Sequence, residues 1–182
     1  MDTDRDRKTE NGLVHVYCGD GKGKTTAALG LCVRAAGAGY TVVVAQFLKS
    51  RDTGELEMLK KLGVTILRVD GEYGFTWQLT PEDKEKMVEE HNRIFCKAVE
   101  LCSAGTKTLL VLDELAAAFG CGLVDTQLVL NALQNRPKAL ELVITGRNPA
   151  PELLELADYV TEMRKVRHPM DKGIIARKGI EF

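Results

Sequence analysis

Short runs of Val, Ile and Leu recur along the chain, and a helix-forming stretch follows each of them. LVHVYC (13–18), TVVVAQF (41–47), VTILRV (64–69), TKTLLVLDE (106–114) and LELVITG (140–146) are near-continuous in apolar character rather than alternating. A strand that is apolar on both sides must be covered on both sides, which is the condition of a parallel sheet between helical layers. The intervening segments supply those layers: AALGLCVRAAGAG (27–39), GELEMLKKLG (54–63), an amphipathic segment from Thr80 to about 103, VDTQLVLNALQN (124–135) and PAPELLELAD (149–158). Thr80 is an N-cap, Pro81 suits the first helical position, and Asp83 adds acid to the first turn. YVTEMRKV (159–166) and GIIARKGIEF (173–182) read as final strand-like pieces. The expectation is a single-domain α/β fold, a mostly parallel sheet with helices on both faces, spanning 12–182 behind a flexible charged tail over 1–11.

Ligands of such sheets bind at the carboxyl ends of the strands. The residues that follow each strand are therefore the ones to inspect: Gly19 to Thr26, Gln46 to Lys49, Asp113 and Glu114, and Gly146 and Arg147. The first of these groups, GDGKGKTT, lies between a strand and a helix, which is the layout of a P-loop and of a P-loop, RecA-like domain. Backbone N–H groups in a glycine turn and at a helix N-terminus converge on an anion, and the helix dipole favours it there. Gly19, Asp20, Gly21, Lys22, Gly23, Lys24, Thr25 and Thr26 make the candidate phosphate site. Lys24 brings a point charge, and Thr25 puts a hydroxyl where magnesium can bind. The spacing departs from G-x-x-x-x-G-K-[ST]: Cys18 stands where the first glycine would be, so the loop is one residue tighter, and Lys22 adds a second cation. Asp113 and Glu114 end an apolar strand as the acid of the second NTPase motif does. Adjacent strand residues point opposite ways, so only one of the two faces the metal.

Other classes are excluded or weakened. Lys and Arg total 25 against 26 Asp and Glu, which argues against a nucleic-acid coat. No apolar run approaches the roughly 20 residues of a membrane helix, and the N-terminus lacks a signal peptide's apolar segment. Cys18, Cys32, Cys96, Cys102 and Cys121 show no paired spacing, so a disulfide framework is not expected and the chain reads as cytoplasmic. His15, His91 and His168 are scattered and read as structural. No segment reads as an arginine-rich lid or supplies a general base. Tyr73, Phe75 and Trp77 cluster in the loop DGEYGFTWQ (70–78), in a chain that is only 5% aromatic, as a surface for a large flat ligand.

GDGKGKTTAALG, QFLK, GELEML, GFTW, VLDEL, ITGR, LADYVTEM and HPMDKGIIARKGIEF, in that order, resemble the P-loop type of ATP:corrinoid adenosyltransferase. The resemblance implies attack of a Co(I) corrinoid on the 5′ carbon of ATP, with inorganic triphosphate leaving and ATP lying in the loop with its phosphates reversed. It implies Lys24, Thr25 and Glu114 as catalytic residues, with magnesium held through Thr25 and Glu114 and Asp113 as the alternative. It implies that Arg34 and Arg147 contact the nucleotide. It implies that Phe75 and Trp77 pack on the lower corrin face, displacing the axial ligand and easing reduction to Co(I). A flavoprotein reductant and a homodimer follow from the same resemblance. The rivals are a small-molecule P-loop kinase, a RecA-like nucleic-acid motor and an ATP-sensing regulator, all separable by the phosphate product.

Overall fold

The computed structural model describes residues 11–49, 53–69, 79–103 and 107–181. β1 (Val14–Cys18) leads through the glycine turn into α1 (Lys24–Gly37), and β2 (Thr41–Gln46) follows. Next come α2 (Gly54–Lys61), β3 (Thr65–Arg68) and α3 (Pro81–Cys102). The rest is β4 (Thr108–Asp113), α4 (Leu115–Gly120), α5 (Thr126–Gln134), β5 (Leu140–Thr145), α6 (Pro151–Glu155) and β6 (Tyr159–Glu162). The strands form one sheet in the order β3-β2-β4-β5-β1-β6. Every pairing between them is parallel.

The continuous apolar strands divide their side chains between two cores. Val42, Val44, Leu109, Val111 and Val143 face α1 and α2, meeting Ala28, Leu29, Cys32 and Leu59. Val16, Val43, Leu110, Leu112, Leu142 and Ile144 face α3, α4, α5 and α6, meeting Ile94, Phe95, Phe119, Val129 and Leu153. That two-sided burial is why these strands tolerate no polar alternation. α3 starts where expected. The Thr80 side chain accepts from the Asp83 N–H at 3.1 Å and the Asp83 carboxylate accepts from the Thr80 N–H at 3.3 Å, a reciprocal cap.

Two readings need amendment. α4 follows β4 directly and was not foreseen; Ala116, Ala117 and Ala118 make it a helix at little entropic cost. GIIARKGIEF is not a strand over its described residues. Gly173 and Gly179 take positive φ (74° and 79°), and the Glu181 N–H donates to the Arg177 carbonyl at 2.9 Å. Arg177 also holds the Glu181 carboxylate with its N–H at 2.8 Å and its guanidinium at 3.1 Å. These local bonds use the backbone groups that a ladder would need. The proposed tail over 1–11 lies outside the described residues except for Asn11. Among the described residues no helix is long and apolar enough to cross a membrane.

Candidate functional site

The site is built on the carboxyl rim of the sheet. After β1 the chain turns through Gly19 and Gly23 at φ 95° and 120°, a region L side chains avoid. A Cβ at Gly19 or Gly21 would stand 2.5 or 2.6 Å from the Met163 carbonyl oxygen, so glycine here permits close approach as well as the turn. That carbonyl accepts the Gly21 N–H at 2.6 Å, and the Lys165 N–H donates to Asp20 Oδ1 at 2.9 Å. The Lys165 bond holds the Asp20 carboxyl below its ordinary range. The segment after β6 therefore braces the front of the loop. Lys24 is 8% exposed, and its ammonium donates to the Gly19 and Gly21 carbonyls at 2.7 and 2.8 Å. Burial lowers its pKa.

Asp113 is the hub behind the loop. It is fully buried, and four side chains from different parts of the chain converge on it. Oδ1 accepts from the Thr25 hydroxyl at 2.9 Å and the Thr145 hydroxyl at 2.7 Å. Oδ2 accepts from the Gln46 amide at 3.2 Å and the Lys49 ammonium at 2.5 Å. Lys49 also donates to the Thr25 hydroxyl at 3.0 Å. A buried carboxylate survives only when so compensated. Gln46 faces Asp113 because the two are register partners across β2 and β4.

Glu114 takes a left-handed conformation, φ 64°, with its N–H on the Thr145 hydroxyl at 2.9 Å. Burial pushes its carboxyl pKa up; Lys49, Lys24 and Arg147 pull the other way. Of the two adjacent acids, Asp113 is the one that touches Thr25.

The remaining candidates fall in several places. Lys22 is exposed and its ammonium lies 3.1 Å from Glu181 Oε1 and 3.3 Å from the Ile180 carbonyl, against the chain's C-terminal segment. Arg147 is exposed just after β5, within the electrostatic reach of Lys24 and Glu114. Thr26 is exposed in the first turn of α1. Arg34 is on α1 ten residues beyond Lys24, about 15 Å along the axis at 1.5 Å per residue. It lines a groove with Leu31, Tyr40, Leu109 and Glu141, so the structure does not bring it beside the glycine loop. Phe75 and Trp77 lie outside the described residues.

Sequence reasoning marked Gln46 to Lys49 for inspection without assigning them a role, and did not single out Thr145 or the brace at Met163 and Lys165. The one available signal was that Gln46 to Lys49 follow a buried strand. The three histidines all make hydrogen bonds. His91 is fully buried; its Nδ1–H donates to the Leu123 carbonyl at 2.6 Å and its Nε2 accepts the Leu48 N–H at 3.3 Å. His15 pairs with Glu141 at 2.5 Å, and His168 Nδ1 accepts the Met170 N–H at 3.2 Å.

The donor set suits a hard divalent cation, which prefers oxygen ligands. A hydroxyl and a carboxylate adjoin, and an ammonium already lies against both. Among the described residues no three His, Cys, Asp or Glu side chains converge on a metal position. A cation here would complete its shell with phosphate and water oxygens.

Known proteins resemble this chain over most of its length. The family model for ATP:corrinoid adenosyltransferase BtuR/CobO/CobP matches residues 10–182. A corrinoid adenosyltransferase of Pseudomonas aeruginosa is 37% identical over 177 residues, covering 96% of this chain and 86% of that protein. One from Escherichia coli K12 is 35% identical over 174 residues, covering 95% and 87%. The corrinoid adenosyltransferase CobA of Salmonella typhimurium is 34% identical over 174 residues, with the same coverage of 95% and 87%.

Proposed function

The chain belongs to the ATP:corrinoid adenosyltransferase family, and from that premise we propose that it transfers the 5′-deoxyadenosyl group of ATP to the Co(I) of a corrinoid, releasing triphosphate. The observation that carries the chemistry is the contact of Thr25 with Asp113 at the foot of the glycine loop. A P-loop whose hydroxyl and strand-end acid meet is equipped to hold a metal–triphosphate group.

The site residues then have simple tasks. Co(I) is a strong nucleophile with no proton to lose, so the absence of a general base fits the reaction. The protein places the 5′ carbon in line between cobalt and leaving oxygen. It also neutralises the departing triphosphate, with Lys24, Lys22 and the N–H groups of Gly19 to Thr25. ATP lies in the loop with its phosphates reversed, as the tightened spacing accommodates. Arg147 reaches phosphate or ribose from the end of β5. Magnesium would be held through Thr25 and Asp113, with Glu114 beside them. It would supply positive charge to the leaving group. Phe75 and Trp77 pack against the lower face of the corrin and exclude water and the axial base. A flavoprotein reductant, a homodimer and a cytoplasmic location complete the proposal.

The test is an anaerobic reaction of the chain with ATP, magnesium and chemically reduced cob(I)alamin. A light-sensitive corrinoid with equimolar triphosphate is the expected result. ADP with an unchanged corrinoid spectrum would replace this reading with a P-loop kinase.

A further inference from the structure

Lys49 occupies a position that the proposed function has so far left unexplained. It is delivered there by a strained turn. Leu48, just after β2, is left-handed at φ 57°, a conformation that persists in a bulky residue only when its surroundings impose it. The imposition is visible: the Leu48 N–H is held by His91 Nε2, and His91 is fixed to the Leu123 carbonyl. The turn sends the next side chain inward, onto Asp113 Oδ2 and the Thr25 hydroxyl.

The hydrogen-bond directions define a competition. The Thr25 hydroxyl gives its proton to Asp113 Oδ1, so the oxygen offers its lone pairs outward. Lys49 donates to that same oxygen and to Asp113 Oδ2, the two atoms a divalent cation would take. An ammonium and a metal ion cannot share them. The side chain of Lys49 is 28% exposed while that of Asp113 is 0% exposed, so of the two partners it is the lysine that has solvent to move into. Gln46 Oε1, buried beside Asp113, has no hydrogen-bond partner among the described residues and is an acceptor in reserve.

We propose that Lys49 is the site's exchangeable cation. Without nucleotide its ammonium compensates Asp113 in the metal's place. When a metal-bound triphosphate group enters, the ammonium yields that place and moves onto phosphate oxygens. Asp113 is thus never left bare, and the charge freed at each exchange goes to the leaving group. This rests on the reading that a metal–triphosphate group occupies the loop.

The exchange predicts effects of opposite sign. In the full chain, Lys49→Met should bind free Mn2+, followed by its paramagnetic resonance signal, about tenfold more tightly than the wild type, because a competing charge is gone. The same variant should bind magnesium tripolyphosphate, followed by calorimetry, about tenfold more weakly. Lys22→Met should weaken tripolyphosphate and leave Mn2+ binding unchanged. Loss of both affinities in Lys49→Met, or no change in either, overturns the proposal. A variant-free arm covers the case where Lys49→Met does not fold. Amine acylation of wild-type Lys49, mapped by mass spectrometry, should rise when Mn2+ is added and fall again with tripolyphosphate. Labelling indifferent to Mn2+ also overturns the exchange. If the wild type releases ADP rather than triphosphate from ATP, the adenosyl-transfer reading fails while these binding results stand or fall independently.

Discussion

Lys24 holds the loop's own carbonyls before it holds any phosphate. Lys24→Ala therefore removes both a brace and a charge aimed at the leaving group. Turnover should drop at least about a hundredfold, as for loss of one transition-state donor; near-normal rates would remove the residue from the mechanism. Asp113 and Glu114 separate by the same reasoning. Asp113→Asn weakens the carboxylate that takes the Thr25 and Lys49 hydrogen bonds, so its magnesium requirement should rise more than that of Glu114→Gln. A magnesium titration with the reverse order would return the role to Glu114. That choice was not legible in the sequence. Adjacency settles only that one acid faces the site, and the left-handed φ of Glu114, which turns the chain out of the strand, arises from contacts with β5. Lys24 and Thr25 were legible because their chemistry is contained in eight consecutive residues. His91 carries a pH prediction. Its Nε2 can accept the Leu48 N–H only in the neutral ring, and burial lowers its pKa from 6.5, against weaker opposing effects of the Leu123 hydrogen bond and of Glu90. Its stabilising contribution is complete above the unfolded value and is lost as pH falls through 6.5 toward the folded value. The urea midpoint should decline between pH 7.5 and 5.5, and His91→Gln should flatten that decline. Equal slopes would remove His91 from the pH dependence of stability.

Among the described residues three non-glycine residues have positive φ: Leu48, Glu114 and Asn148. They follow β2, β4 and β5, the three adjacent central strands, and all lie on one rim. Strain gathered there rather than dispersed over the turns is the mark of a working edge. Glu114 gives the sharpest test, because its backbone and its charge both work against stability. The left-handed conformation costs a non-glycine residue about 1–2 kcal/mol, and the raised pKa means that the fold disfavours its ionised form at neutral pH. Glu114→Gly should gain about 1 kcal/mol after the added freedom of the unfolded chain is subtracted, while turnover falls. Glu114→Gln should recover only the part due to charge. A Glu114→Gly variant that melts below the wild type would refute the strain argument. Strands that are continuous apolar runs and helices with a clear period were legible at this scale. α4 was not, because AAAFG is too short to show a period. The terminal GIIARKGIEF failed for another reason: Arg177 and Glu181 close a turn that the β-branched residues alone do not announce.

Strand order is a property of the whole molecule, and no local pattern contains it. Each loop could be placed on the carboxyl rim from the sequence, but not beside its neighbours. Lys49, Asp113 and Thr145 converge because β2, β4 and β5 are adjacent, and Gly19 to Thr25 join them because β1 flanks β5. The same order sets the scale of the ligand. β3 and β1 are separated by four strand spacings, about 19 Å at ~4.8 Å each. In the sequence, Phe75 and Trp77 stand between β3 and the Thr80 cap of α3, outside the described residues. The proposed function gives the triphosphate to the β1 loop and the corrin to these aromatic rings. This division assigns the two ends different steps. Under the proposed function the β1 end would serve the leaving group, whatever the oxidation state of cobalt at the outset. The aromatic residues would serve the loss of the axial ligand, which matters only when the reaction starts from Co(II). Trp77→Ala should therefore depress the rate of a Co(II) assay coupled to a reductant far more than a reaction begun with chemically made Co(I). Lys24→Ala should depress both alike. Equal losses for Trp77→Ala in the two assays would mean that the ring only positions the corrinoid, and the axial-ligand argument would fall while the phosphate end remained intact.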